Sequence, residues 1–414
     1  MMNTFPQVDI VERTSVETSA FFVPIFPAYA HREDRPRFLL TPDVGIGDAV
    51  AIGLSAVDQI VRNDAGAWGA IDILCNRVQA QLFAHDPRIN RVIVSDCRFF
   101  PGRQISQWLR GIVLDENARR LVTFLHERHY EAIHPGIVAP GLYFRLHARL
   151  MYPDVLKLAR DIFFPRLYAN LSMRKVARQM VNRYFGQSAP VDESVDEVLL
   201  YVSHEHMQKA RALAARLKTR AAGSACKLLL VAPDSASAVT RPPTRLLAAA
   251  LSQVLARCPH LLVAILPAYT DRLCAGRLWH ALACDDRHAS RVILLPAEPR
   301  MPLLELAALL NQTNIILTGD TGVMHLAAAT KRVAGEDGDC PAHNTSRIIA
   351  LFGGTNPGFY GYRTRTTILG EGRPEQRSFR PGFSKEGYDT RGKDLFDHID
   401  PQMVVDAIMC HLFM

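Results

Sequence analysis

From residue 37 onward, apolar positions fall into short unbroken runs, separated by longer stretches where they recur every third or fourth residue. The runs at 37–41, 71–75, 91–95 and 131–134 have strand length and no polar alternation, so they predict strands buried on both faces. The helical spacing between them predicts amphipathic helices, among them 49–62 and 115–128. A polar, acidic interval at 186–197 interrupts this rhythm, which then restarts. Strands are predicted at 227–232, 260–266, 291–295, 314–317 and 347–352, and helices at 244–257, 271–283, 302–312 and 321–330. A last helix over 402–413 closes the chain and is free to pack back on the first half. Strands alternating with helices imply parallel sheets covered on both sides, here as two successive doubly wound α/β halves with a cleft between them. The predicted division is an N-terminal extension over 1–36, a first domain over 37–190 and a second over 191–414.

Composition agrees with a chain that builds two cores. Of 414 residues, 48% are hydrophobic and 21% charged, the balance of a globular protein. The first twenty residues carry Asp9, Glu12, Arg13 and Glu17, which argues against a secretory leader. The apolar run at 20–30 holds Pro24 and Pro27 and is too short to span a bilayer. The 8 cysteines form no C-x-x-C pair and resemble the incidental thiols of a reducing compartment. A soluble cytoplasmic protein is the expectation.

The net charge of +7 favours an anionic partner. It is concentrated in one block. Residues 145–185 carry nine Lys and Arg against Asp154 and Asp161, with Tyr152, Phe163, Phe164, Tyr168, Tyr184 and Phe185 interleaved. Two readings fit: a basic amphipathic helix pair in peripheral contact with a membrane, or a solvated helical face with an aromatic inner side. No nucleic-acid-binding motif accompanies the charge. Two polar loops, 331–346 and 371–393, are longer than the connections need. Cys340, His343, Asp337 and Asp339 lie in the first, without the spacing of a complete metal set, so no metal is expected.

Two turns carry the candidate chemistry. In Leu317-Thr318-Gly319-Asp320-Thr321-Gly322-Val323-Met324-His325 a strand turns sharply into an alanine-rich helix. Such a turn aims unpaired backbone N–H groups one way, with the positive end of the helix dipole behind them, and suits a phosphate. It suits a plainly capped core helix equally. Asp320 is expected at or near the N-cap, Thr321 in the first turn and His325 on the first exposed turn. In Gly45-Ile46-Gly47-Asp48 a glycine-bearing turn opens the first helix. The third glycine of a dinucleotide fingerprint is missing, which disfavours a nicotinamide enzyme. Asp48 is left at the C-terminal edge of the sheet, as a helix cap or as a functional carboxylate.

Taken together, these two turns and Ile349-Ala350-Leu351-Phe352-Gly353-Gly354-Thr355-Asn356-Pro357 resemble the heptosyltransferases of glycosyltransferase family 9. Weaker echoes lie at 129–133 and 299–303. The resemblance implies a GT-B architecture of two Rossmann-like domains facing a cleft, the first for the acceptor and the second for the nucleotide sugar. It implies an inverting, metal-independent transfer, with ADP-heptose as donor, no separate cofactor, and an anionic acceptor such as the inner core of lipopolysaccharide. By the same resemblance Asp48 is the general base, with Gly45 and Gly47 beside it on the acceptor side. Thr321 and Gly322 present backbone N–H groups to the diphosphate, Asp320 binds sugar hydroxyls and His325 steadies the loop. Asp271 and Met301 correspond to ribose and adenine contacts, and Gly353 and Thr355 to the following donor loop.

One departure stands out. Where the family has a lysine after the first strand of the second domain, this chain has Thr240, with Arg241 adjacent and Asp234 in place of a glycine. An arginine can grip phosphate, so Arg241 is the expected substitute. A nucleotide-sugar-binding protein with little or no turnover, and a transferase for a protein or small-molecule acceptor, are the competing expectations.

Overall fold

The structure is a computed structural model, and it describes residues 38–41, 45–94, 130–134, 172–187, 197–220, 227–235, 237–267, 273–297, 300–333, 347–364, 366–372 and 395–413. The described residues form two compact units that divide between Tyr201 and Val202. Both are α/β with parallel sheets.

The first unit has four strands in the order β3-β2-β1-β4. They are β1 (Phe38–Leu40), β2 (Ile71–Cys75), β3 (Ile89–Val94) and β4 (Ala132–His134). The chain fills one side of β1 with β2 and β3, then crosses to its other side for β4. The switch of direction therefore falls between β1 and β4, and the turn that carries Asp48 leaves the C-terminal end of β1. The predicted helix over 49–62 is displaced and composite. A helical turn at Ile46–Asp48 runs into a π-helical segment, Ala49–Leu54, and then into an α-helix, Ser55–Asn63. All six residues of the π segment are buried. Such wide turns concentrate at functional sites. The predicted helix over 115–128 lies outside the described residues.

Buried charge ties this unit together. Arg88 donates from Nε and Nη2 to the two oxygens of Asp86, at 2.8 and 2.6 Å, and from Nη1 to Asp58. Nη2 also reaches the Leu199 carbonyl at 3.3 Å, and the guanidinium stacks 5.0 Å from the centre of the Tyr201 ring. Arg178, on the helix Met173–Tyr184, lies 3.7 Å from Asp58 and donates to the Glu197 carbonyl. Strand β5 (Leu199–Val202), unforeseen in the sequence, is thus held at its start by both arginines.

This changes the reading of the basic block. Arg174 and Arg178 are buried, so two of its cations face neither a membrane nor solvent. On the same helix end, Tyr184 and Phe185 pack against Phe38, with ring centres 5.9 Å apart in each pair. Residues 145–171 lie outside the described set.

The second unit has six parallel strands in the order β12-β11-β9-β6-β7-β8. They are β6 (Lys227–Ala232), β7 (Leu261–Ile265), β8 (Val292–Leu294), β9 (Ile315–Gly319), β11 (Arg347–Leu351) and β12 (Thr366–Leu369). Leu229, Val231, Val263, Ile265, Ile315, Leu317, Ile349 and Leu351 share one buried cluster with residues of the helices Thr244–Arg257 and Pro401–Phe413. The intervening Leu228, Leu230, Leu262, Ala264, Ile316 and Ala350 are equally buried, so both faces are covered. The final helix packs on Thr244–Arg257 within its own unit.

Among the elements that escaped the sequence pattern here are the helix His204–Arg220, strand β12, and strand β10 (Thr330–Val333). β10 occupies the first residues of what reads in the sequence as a polar loop; the remainder of that loop, with Cys340 and His343, lies outside the described residues, as does most of 371–393. Among the described residues, no helix is long and apolar enough to cross a membrane.

Replacing Arg88 by methionine leaves Asp58 and Asp86 buried without their shared cation. Breaking a buried pair in this way costs about 3–5 kcal/mol. Arg88→Met is expected to lose that much in urea-induced unfolding, and a loss under about 1 kcal/mol would show that the network does not hold the unit.

Candidate functional site

In the second unit the chain lays down β6, β7 and β8 to one side, then returns to place β9, β11 and β12 on the other. The strand order reverses between β6 and β9, and in parallel α/β sheets ligands bind outside the strand ends at that point. Ala232 pairs in register with Thr318 there, and Gly319 with Leu351. The loops leaving β6, β9 and β11 therefore emerge side by side.

Glycines let these loops close on one another. A Cβ at Gly319 would fall on the Thr240 carbonyl oxygen and lie 3.0 Å from Cδ of Pro242, so only glycine allows the β6 loop to cross the end of β9. At Gly354 a Cβ would meet Cγ1 of Val239 at 2.6 Å, and the Gly354 N–H donates to the Val239 carbonyl at 3.2 Å. Gly353 lies against the Phe396 ring, which a Cβ would meet at 2.5 Å. Gly353 thus has a packing reason beside any contact with a ligand.

Between Ser235 and Arg241 the β6 loop is held by its own hydrogen bonds. The Ser235 and Thr240 hydroxyl oxygens are 2.5 Å apart, and Thr240 also donates to the Ser237 carbonyl at 3.3 Å. Arg241 donates to the Ser235 carbonyl from Nε at 3.1 Å and from Nη2 at 2.6 Å. Thr240 is buried, and Arg241 is half-buried with one edge of its guanidinium turned on its own loop. As placed, both residues shape the loop.

In the β9 loop Thr321, expected in the first turn, is itself the N-cap of the helix Gly322–Ala328, and Asp320 stands next to it. Thr321 is extended, at φ −141° and ψ 169°, and its side chain makes no capping bond. Its hydroxyl instead lies 3.1 Å from that of Thr318. The first-turn amides of this helix are therefore not taken by the residue best placed to take them. His325 is buried rather than exposed, because its ring turns inward to Tyr362: Nδ1 lies 3.0 Å from the phenolic oxygen, and the two rings meet edge to face. Nε2 lies 3.8 Å from an Asp320 carboxylate oxygen, beyond hydrogen-bond range. Asp320, His325 and Tyr362 form one buried polar group.

The other end of this helix is held by Lys331. Its ammonium is fully buried and donates to the carbonyls of Leu326, Ala327 and Ala329 at 2.6, 2.9 and 2.7 Å. A cation on the terminal carbonyls complements the helix dipole and fixes where the helix stops. Neither Lys331 nor Tyr362 was foreseen. Lys331 reads as a loop cation, and Tyr362 is indistinguishable in sequence from Tyr360 two residues before it.

Of the remaining candidates, Thr355 is buried on the β11 loop, and its hydroxyl has no hydrogen-bond partner among the described residues. Met301 is half-buried ahead of the helix Leu303–Leu310, on the connection from edge strand β8. Asp271 lies outside the described residues. In the first unit, the half-buried Asp48 accepts a bond from the Gly45 N–H at 3.1 Å, so the helix-capping reading is observed. A Cβ at Gly45 would sit 2.7 Å from that carboxylate oxygen, so a side chain there would displace it. Gly47 falls inside the same short helical turn.

Two parallel α/β units, each with candidate residues at a reversal of strand order, are of the GT-B structural class, as the structural neighbours show. Residues 281–388 match the family model of glycosyltransferase family 9 (heptosyltransferase), and that span contains both the β9 and the β11 loops. ADP-heptose lipopolysaccharide heptosyltransferase II of E. coli superposes with a TM-score of 0.62 at 16% identity, over 91% of this chain and 98% of that one. A family 9 glycosyltransferase from Veillonella parvula gives 0.61 at 17% identity, over 92% and 98%. The E. coli heptosyltransferase WaaC, solved with ADP, gives 0.53 at 14%, over 91% and 99%. At these identities the likeness establishes the fold. No curated protein matches by sequence.

Lys331→Met removes charge-assisted hydrogen bonds to three buried carbonyls, each such bond being worth about 1.5–3 kcal/mol. The variant is expected to lose at least that much stability by chemical denaturation. An unchanged midpoint would show that the helix end is held by other contacts.

Proposed function

We propose that this chain is an inverting, metal-independent glycosyltransferase that moves a heptose, or a similar sugar, from an ADP-sugar to a hydroxyl of an anionic acceptor such as the lipopolysaccharide inner core. The observation that carries the reading is the reversal of strand order between β6 and β9, where Gly319 lets two loops close beside a helix start whose amides have no side-chain cap. The family match over 281–388 and the ADP in the WaaC structure support a nucleoside diphosphate as the group received there.

In this reading the acceptor hydroxyl attacks the anomeric carbon from the face opposite the diphosphate. The new C–O bond forms as the bond to the diphosphate oxygen breaks, its electron pair leaves with ADP, and the configuration inverts. Asp48 takes the hydroxyl proton. The carboxylate accepts that proton as the C–O bond develops. The backbone N–H groups of Thr321 and Gly322 meet the charge growing on the diphosphate, each preorganised donor being worth about 2.7–4 kcal/mol by analogy with oxyanion holes. Asp320 binds sugar hydroxyls. His325, pinned by Tyr362, holds the loop, and Thr355 and Met301 line the nucleotide side.

A second reading has its own observation. Thr240 stands in place of the family's lysine and Arg241 is engaged with the Ser235 carbonyl, which favours a nucleotide-sugar-binding protein of slow turnover.

Binding of ADP and ADP-sugars, followed by ADP release with and without a lipopolysaccharide acceptor, separates the two. Asp48→Ala is expected to keep ADP affinity within about twofold while transfer falls by 10²–10⁴, the usual worth of a general base. Transfer at the wild-type rate in that variant would remove Asp48 as the base, and ADP-sugar binding without any ADP release would leave the binding-protein reading standing.

A further inference from the structure

Behind the Asp48 turn lies a buried polar side chain with no part in the reaction as written above. Gln79 is 2% exposed, on the helix Arg77–Phe83 that follows β2, and β2 is the direct neighbour of β1 in the sheet. Its backbone and one end of its side chain belong to a helix cap. The Gln79 N–H donates to the Asn76 side-chain oxygen at 2.9 Å, and the Gln79 amide oxygen accepts the Asn76 N–H at 3.3 Å. That exchange is a capping box and accounts for a glutamine at this position. It does not account for the other end of the amide. Nε2 reaches across to the next β–α connection and donates to the Gly45 carbonyl at 3.0 Å.

Gly45 is the residue on which Asp48 depends. Its N–H donates to the Asp48 carboxylate, and its carbonyl also accepts the Ala49 N–H at 3.0 Å, the first bond of the helical run. Fixing the carbonyl fixes the peptide unit that follows Gly45, and with it the start of the turn that carries Asp48. Gly45 has no side chain to restrain it, so a contact from another element adds to the local bonds in selecting one orientation. Gln79 supplies it from a rigid neighbouring element, anchored by its own capping box. We propose that Gln79 is a positioning residue for Asp48, acting through the Gly45 peptide; this rests on Asp48 being the base of the proposed transfer.

The two ends of Gln79 can be tested separately. Asn76→Ala removes the side-chain cap on the helix but leaves the Nε2 bond to Gly45. Gln79→Met removes the bond to Gly45, and with it the acceptor for the Asn76 N–H, at nearly constant length. Gln79→Glu keeps an acceptor for the Asn76 N–H but has no N–H to give Gly45, and it serves if the methionine variant does not fold. The measurements are kcat and donor KM for transfer, ADP affinity, and the thermal midpoint of each variant. The expected result is a kcat lower by about tenfold or more in either Gln79 variant, since small misplacements of a reacting group cost up to about 100-fold. Donor KM and ADP affinity should stay within twofold, and Asn76→Ala, destabilised to a similar extent, should keep a near-normal kcat. Equal kcat values for Asn76→Ala and the Gln79 variants would overturn the positioning role and leave Gln79 as a cap. Full transfer by Asp48→Ala would instead sink the reading on which the proposal rests.

Discussion

The second unit depends on one close approach, that of the Thr240 carbonyl to the backbone of Gly319. A side chain at 319 would push the β6 loop off the end of β9. The same loop meets Gly354 through Val239, so the displacement would spread to the β11 loop. Three loops from three adjacent strands are thereby one packed body. Packing of this kind is stiff, because protein interiors do not deform continuously. In the proposed reaction a site built on it would hold its donors in place before any ligand arrives, which is what electrostatic stabilisation of the leaving diphosphate requires.

The two ends of the helix Gly322–Ala328 are treated oppositely. Seven residues form too short a helix to persist by itself, so its geometry is imposed from outside. Lys331 imposes it at the C-terminus with three bonds to carbonyls. At the N-terminus the Thr321 hydroxyl turns back to Thr318 and makes no cap for the amides. Holding one end by charge and leaving the other uncapped fits a helix whose start receives an anion. The first unit uses buried charge for a different purpose. Arg88 and Arg178 join Asp58, Asp86 and the chain at 197–199, and none of these residues belongs to the proposed site.

Much of this architecture was legible in the pattern of apolar runs. Strands at 71–75 and 227–232 and the helix at 244–257 stand where that pattern puts them, because buried parallel strands and long amphipathic helices leave strong periodic traces. The short β12 and the lysine-bearing β10 leave weak ones. The glycine turns at 45–48 and 319–322 were legible too, since their chemistry is local. Contacts between distant residues were not. Nothing in the spacing of Gln79, Tyr362 or Lys331 announces a bond to Gly45, His325 or the helix end. That Thr321 takes the cap position with its hydroxyl on Thr318 is a matter of packing, and the inward turn of His325 follows from Tyr362.

The resemblance implies a lysine where this chain has Thr240, and that difference bears on what the β6 loop can contribute. A lysine brings a mobile charge that can follow the phosphate. Thr240 brings a short hydroxyl already shared with Ser235 and Ser237, and Arg241 spends Nε and Nη2 on the Ser235 carbonyl. The loop gains order and gives up a mobile cation. In the proposed reaction, more of the diphosphate charge then falls on the backbone N–H groups of Thr321 and Gly322, whose direction is set by the helix they begin. Backbone donors cannot move to correct a misplaced ligand, so their worth depends on the rigidity of what stands behind them. The carbonyl of Thr240 against Gly319 and the ammonium of Lys331 are the two contacts that supply it.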